Sequence, residues 1–279
     1  MSSSKHISVC IQPLNYGDII ACAQLSASAF AVDPHTIVKN LGDEPCDMYD
    51  VIRTMLLGCL ELRTHIYVKA VDQATGKIVG HAGWAFKGVE ETLIPWSAPA
   101  DDKSAAHQDQ PERCNVSTKM SNNDCHDENR QDSIHLLKEL EARDMHLWQS
   151  EIVPKNKACI FITSLHVSIS HQSLGVGSAL IQHGNALADQ LRLPIWVHSS
   201  HQAFEAYRKF GFEVVRELDI DLDEWAPRGP REGEAVMGNK ENGKWGRYVI
   251  RYMKRCPKMF APSMEQTTTP IPSSRYKTS

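Results

Sequence analysis

The residues with the clearest chemical use lie in one stretch, Leu165-His166-Val167-Ser168-Ile169-Ser170-His171-Gln172-Ser173-Leu174-Gly175-Val176-Gly177-Ser178. An apolar run before it (Cys159, Ile160, Phe161, Ile162) suits a buried strand, and Ala179, Leu180, Ile181, Ala186, Leu187, Ala188 and Leu191 after it recur at helical spacing. A strand that feeds a helix through Gln172-x-x-Gly175-x-Gly177 lets the backbone pass close to a ligand and leaves first-turn N–H groups pointing outward. Those donors, at the positive end of a helix, suit a phosphate or pyrophosphate. A kinase-type P-loop would need a Lys after its last glycine, and here Gly177 is followed by Ser178-Ala179. The dinucleotide fingerprint needs three glycines, and only two are correctly placed. A third pattern, Gln/Arg-x-x-Gly-x-Gly/Ala, fits as it stands. Two glycines can also serve as a plain helix entrance, so the rest of the chain must decide.

The chain has 279 residues, 42% hydrophobic and 23% charged, with a formal net charge of −4. That composition is ordinary for a globular protein and gives no reason to expect nucleic acid or an anionic membrane as partner. No apolar run is long enough to span a bilayer, and Met1–His6 leads into a strand instead of a signal segment. The eight cysteines, none in a Cys-x-x-Cys pair, read as reduced thiols, so a cytoplasmic location is expected.

Periodicity predicts a strand at His6–Pro13, a helix to Phe30 broken by Asp33-Pro34, and a second helix over Asp47–Arg63. A hairpin follows, His65–Val71 and Lys77–Phe86 around Asp72–Gly76. From Lys87 to Gln131 large aliphatics nearly vanish, which predicts a mobile polar surface insertion. Its His107, Cys114, Cys125 and His126 match no standard metal spacing, and no metal is expected. A helix resumes over Asp132–Ile152, so the whole insertion runs from about residue 87 to 157. Beyond the central strand and helix come a strand at Ile195–His198, and a short helix at His201–Phe210 that Ser199 or Ser200 can cap and Gly211 ends. Phe212–Leu218 and Trp245–Lys254 complete the strands. One domain over 1–255 and a disordered tail over 256–279 are expected.

This order resembles the GNAT (Gcn5-related N-acetyltransferase) superfamily, and two local matches carry the likeness. Leu165-x-Val167 with Gln172-x-x-Gly175-x-Gly177 resembles the acetyl-CoA motif, and Tyr207-Arg208-Lys209-Phe210-Gly211-Phe212 resembles the second motif, Tyr-x-x-x-Gly-Phe. The long insertion before the central strand is similar to that of fungal members. The resemblance spans roughly Ile7 to Lys254 and is densest over Phe161–Val214. It implies an α/β (α+β) fold with a mixed, mostly antiparallel sheet of six to seven strands, flanked by helices, whose central strand splays from its neighbour. Two departures stand out: Ser173-Leu174 occupies a place where many relatives carry a basic residue, and Ile169 one where proline is common.

The resemblance further implies transfer of an acetyl group from acetyl-CoA to an amine by direct attack in a ternary complex. Leu165, His166 and Val167 would then hold the pantetheine arm through backbone groups, and Gln172, Ser173, Leu174, Gly175, Val176, Gly177 and Ser178 the pyrophosphate. Tyr207 would protonate the departing thiolate: a phenol of pKa about 10 can share a proton with a thiolate whose acid has pKa about 8.5. No base emerges. Alternation puts Phe161, Thr163 and Leu165 on one face and Ile162, Ser164 and His166 on the other. In several relatives the base sits on the face of Phe161 and Thr163, so His166 is expected to point away from it. His198 and His201, or Glu90, Glu91 and Glu151 through water, are other candidates.

The expected acceptor is a small-molecule amine, because a long insertion lids a pocket more naturally than it leaves a peptide groove. Three alternatives stand beside it: a protein or peptide N-acetyltransferase, a non-catalytic acyl-CoA-binding module on the same fold, and an ATP-binding loop at Gly175 and Gly177. Oligomeric state is not legible.

Overall fold

Seven extended segments pair into one sheet. The computed structural model describes residues 6–107 and 128–258. The strands β1 (Val9–Pro13), β2 (His65–Asp72), β3 (Ile78–Lys87), β4 (Cys159–Val167), β5 (Ile195–Ser199), β6 (Glu213–Asp221) and β7 (Arg247–Arg255) lie in the order β1-β2-β3-β4-β5-β7-β6. Every neighbouring pair is antiparallel except β4 and β5, which run parallel.

The helices α1 (Ile19–Phe30), α2 (Pro34–Lys39), α3 (Met48–Cys59) and α4 (Glu128–Leu147) cover one face, and α5 (Val176–Leu191) and α6 (Phe204–Lys209) the other. A single turn, α7 (Leu222–Trp225), follows β6. On the α5 face, Val176, Leu180, Ile181 and Ala188 pack on Val68, Ala82, Trp84, Ile160 and Val197. Burying aliphatic side chains of this size contributes about 1.5–3 kcal/mol each. On the opposite face, Leu137 and Trp148 pack on Trp196, Ile250 and Tyr252, while Ile19, Cys22, Ile52 and Leu56 gather around Tyr67.

Three expectations are corrected. Asp33-Pro34 does not merely break α1. The Asp33 carboxylate accepts from Thr36 N–H (2.9 Å) and Pro34 takes the first helical position, so the pair starts α2. The polar segment after Lys87 is docked over its first part: Ile94 and Ala106 are buried, and the Asp101 carboxylate accepts from Tyr16 N–H (2.7 Å) and Gly17 N–H (2.8 Å). Cys114, Cys125, His126 and most of the expected tail lie outside the described residues, as does the side chain of His107. The short helix near Ser200 starts later than expected, at Phe204, although Ser200 Oγ does accept from Ala203 N–H (3.3 Å).

The inserted helix α4 runs into a π-helical turn, Trp148–Ile152, and is tied to both neighbours on its face. Glu141 accepts from His35 Nε2 (2.5 Å) and Lys39 Nζ (2.5 Å) of α2, and Asp144 pairs with Arg216 of β6.

Candidate functional site

The ladder between β3 and β4 fixes which backbone groups are spoken for. Ser168 N–H donates to Val79 O (2.9 Å), which sets the phase: the pairs His81↔His166 and Gly83↔Ser164 exchange hydrogen bonds, and Leu165 and Val167 turn their N–H and C=O toward β5. Yet β5 pairs with β4 only at Ile160↔Ile195, Phe161↔Trp196 and Ile162↔Val197. Past Ile162 the strands part, and the polar groups of Leu165 and Val167 face a gap. Among the described residues only Gln172 approaches them, with Nε2 3.4 Å from the Val167 carbonyl.

A bulge accompanies the parting. Gly83 pairs with Ser164 but Trp84 with Ile162, so Thr163 is an extra residue in β4. Residues directly opposite in a sheet share a face. Ile162 shares one with Trp84, Leu165 with Ala82 and Val167 with Gly80, all toward α5. Phe161, Ser164 and His166 share theirs with Ala85, Gly83 and His81, and the Thr163 hydroxyl lies 3.5 Å from Tyr67 Oη on the same side. The alternation read from sequence holds through Thr163 and is inverted beyond it. The extra residue moves Leu165 to the α5 face and brings His166 onto the face of Phe161.

At the end of the gap stands the loop into α5. Ser173 (φ 61°) and Gly175 (φ 92°) are left-handed, and Gly175 is the N-cap of α5 with no side-chain cap. Ile7 N–H donates to Leu174 O (3.2 Å), tying the loop to the start of the chain. Val176 buries its side chain, whereas the N–H groups of Val176, Gly177 and Ser178 have no acceptor within the helix and no turn bond. The first turn carries no acidic residue, so no carboxylate competes for them. Gln172 and Ser173 are exposed at the mouth.

Two titratable groups come from β5 and the helix that follows it. Tyr207, on α6, has its ring buried against Phe212 (centroids 5.2 Å apart). Burial pushes its phenol above the usual tyrosine range. Its hydroxyl has no partner among the described residues and is not sealed from solvent. On β5, His198 follows Val197, the last β5 residue paired with β4, and its ring lies beside Tyr252 (5.2 Å). The protein around the ring draws its pKa below the ordinary imidazole value, with Glu141 pulling the other way.

Of the residues singled out by sequence, Leu165, Val167 and Gln172 to Ser178 line one continuous gap and loop. His166 is the exception: its backbone is taken by β3, and its side chain lies on the α1 face against Ser26 (2.9 Å) and Phe30 (centroids 5.1 Å). Sequence reasoning missed Thr163 as a bulge, and Ser26 and His81 as partners of His166, because both depend on strand register.

Residues 151–220 match the model of the acetyltransferase (GNAT) domain. No curated protein sequence matches the chain. Among solved structures, arylalkylamine N-acetyltransferase 2 from Aedes aegypti is similar at 16% identity, with 90% of this chain and 100% of that one covered and a TM-score of 0.50. A histone acetyltransferase HPA2 and related acetyltransferase from Corynebacterium glutamicum is similar at 17% identity, over 92% of this chain and 100% of that one, with a TM-score of 0.48. Arabidopsis thaliana NAA60 in complex with a bisubstrate analogue is similar at 12% identity, over 88% and 98%, with a TM-score of 0.42.

Proposed function

We propose that this chain, an acyltransferase of the GNAT kind by its domain and fold, transfers an acetyl group from acetyl-CoA to the amine of a small molecule within a ternary complex. The observation that carries the reading is the gap past Ile162, lined by backbone groups of Leu165 and Val167 that no neighbouring strand takes, and leading to the uncapped end of α5. Donors and acceptors in that order fit an extended amide-bearing arm that ends in a pyrophosphate.

When bound, acetyl-CoA supplies an activated acyl carbon and a sulfur leaving group. Leu165 and Val167 hold the arm as a missing strand would, and the Leu165 N–H polarises the acyl oxygen where negative charge develops. The N–H groups of Val176, Gly177 and Ser178 hold the pyrophosphate without a basic side chain in the loop. Tyr207 stays protonated at any physiological pH and donates to the departing sulfur. The desolvation that weakens the phenol as an acid also raises the affinity of that sulfur for a proton, so the two stay matched.

The small-molecule acceptor is supported by α4. Its ties from Glu141 to His35 and Lys39, and from Asp144 to Arg216, hold α4 against α2 and β6, which on this reading narrows access to the face of Phe161. An extended peptide would need that face open.

Thermal stability with acetyl-CoA, CoA and ATP, in wild type and in Gly175→Glu, tests the cofactor. A rise with both CoA species that the substitution abolishes is expected; a rise with ATP alone would sink the reading. Thiol release against a panel of amines and of peptide N-termini then tests the acceptor, and turnover of peptides only would exclude the small-molecule assignment.

A further inference from the structure

We propose that His166 is the group that takes the proton of the attacking amine, and that Ser26 and His81 position it by fixing which ring nitrogen carries a lone pair. The inference rests on the acetyl-transfer reading and supplies the base that reading lacks.

Ser26, fully buried on α1, has Oγ 2.9 Å from Cys22 O, 2.8 Å from His81 Nε2 and 2.9 Å from His166 Nδ1. A hydroxyl has one proton and two lone pairs, and a carbonyl can only accept. The Ser26 proton therefore goes to Cys22 O. Both ring nitrogens then meet lone pairs on Oγ, and each must donate. His166 Nδ1 and His81 Nε2, 3.3 Å apart, converge on one oxygen as two N–H groups and do not bond to each other.

A neutral imidazole carries one N–H, so His166 Nε2 is left as a bare lone pair. It has no hydrogen-bond partner among the described residues. The buried Nδ1 of His81 is sealed from solvent, but His166 Nε2 is not. The ring also has no reason to become charged. β3 presents His81 to it, α1 presents Ser26 and Phe30, and among the described residues no carboxylate faces it; desolvation draws its pKa down to about 4.

The bulge at Thr163 makes the location useful. It puts the His166 side chain on the face of Phe161, one residue from Leu165, whose N–H enters the gap. Adjacent Cα atoms are about 3.8 Å apart, so the base proposed here stands one residue from the N–H that would face the acyl oxygen. The amine enters as the free base. As its N–C bond forms and the C–S bond breaks, His166 Nε2 takes the amine proton while Tyr207 Oη gives one to the sulfur. The imidazolium, a strong acid at this site, then passes its proton to water, and Tyr207 is reprotonated from solvent.

The ring nitrogens can be observed directly in the full-length wild-type protein by 15N NMR after histidine labelling. His166 is expected in the Nδ1–H form; an Nε2–H ring would overturn the proposal. Kinetically, His166→Gln should lower kcat about 100-fold and leave acetyl-CoA affinity by calorimetry unchanged. Ser26→Ala should lower kcat about 10-fold at constant acceptor KM, within the range expected for mispositioning a reacting group, and shift the His166 15N signals toward a mixture of tautomers. Full kcat in His166→Gln, or a comparable loss only in His198→Asn, would move the role to β5 and refute the assignment. Wild-type protein that does not bind acetyl-CoA at all would overturn the acetyl-transfer reading, and this one with it.

Discussion

Glu141→Gln tests whether the inserted helix is held over the acceptor face by charge. Burial alone would raise the Glu141 pKa, but hydrogen bonds from His35 and Lys39 and their Coulombic pull outweigh it and hold the carboxyl below its ordinary value. Each oxygen takes one partner, with the side chains of Glu141, His35 and Lys39 only 16%, 12% and 29% exposed, so solvent screens the cluster little. Glutamine keeps one acceptor oxygen and loses the charge, so about one charge-assisted hydrogen bond disappears, about 2 kcal/mol. For a domain of this size that corresponds to a Tm lower by about 4–8 °C at pH 7.

The pH dependence has a definite sign. A depressed carboxyl pKa stabilises fully above the unfolded value, about 4.3, and the contribution disappears as pH falls through the lower folded value. The Tm gap between wild type and variant should therefore be constant from pH 7 to 5.5 and shrink toward pH 3. Paired calorimetric scans across that range, with acceptor KM measured at pH 7, read the outcome. A gap below 1 °C at pH 7, or one that persists undiminished at pH 3, would refute the idea that this carboxylate clamps α4 to α2.

Other substitutions probe the remaining supports. In Gly184→Ala the new Cβ would lie 2.3 Å from Nε1 of the fully buried Trp84; a loss of about 1–3 kcal/mol in urea melts is expected, and an unchanged midpoint would mean α5 packs less closely on β3. Asp101→Ala removes the acceptor for two backbone N–H groups and should cost about 1–2 kcal/mol, with faster hydrogen exchange around Ile94 and Ala106; unaltered exchange there would deny Asp101 its anchoring role. Tyr207→Phe should lower kcat about 100-fold with acetyl-CoA affinity retained, and full activity would remove Tyr207 from the proton path.

The loop into α5 and the turn after α6 were legible because they use residue types with few other purposes: glycines at left-handed positions and apolar residues at fixed intervals. Gly211, read as a left-handed cap, adopts φ 86°. What escaped depends on which partner a residue takes, near or far in sequence. Asp33-Pro34 carries both a stop and a start signal, and only Thr36 decides between them. Asp101 sits in a polar stretch and looks solvated until Tyr16 and Gly17 are seen to donate to it. The bulge has no residue signature at all, since Ile162-Thr163-Ser164 would serve as regular strand. One unseen extra residue inverted the face of every side chain after it, which is why His166 was expected to point away from the chemistry.

The insertion has a kinetic consequence as well. β3 and β4 are antiparallel neighbours, a pairing that a two-residue turn could close, but β3 ends at Lys87 and β4 begins at Cys159, so 71 residues (88 to 158) intervene. Relative to a five-residue connection, closing that loop costs about 2 kcal/mol more in chain entropy. The strand β4 therefore joins β3 through one of the least local contacts of the sheet, and pairing of this kind forms slowly. Docking α4 early, against α2 and the β6–β7 pair, would shorten the effective loop. The inserted helix is thus also placed to speed assembly of the sheet it covers, and its removal should slow refolding more than it speeds unfolding.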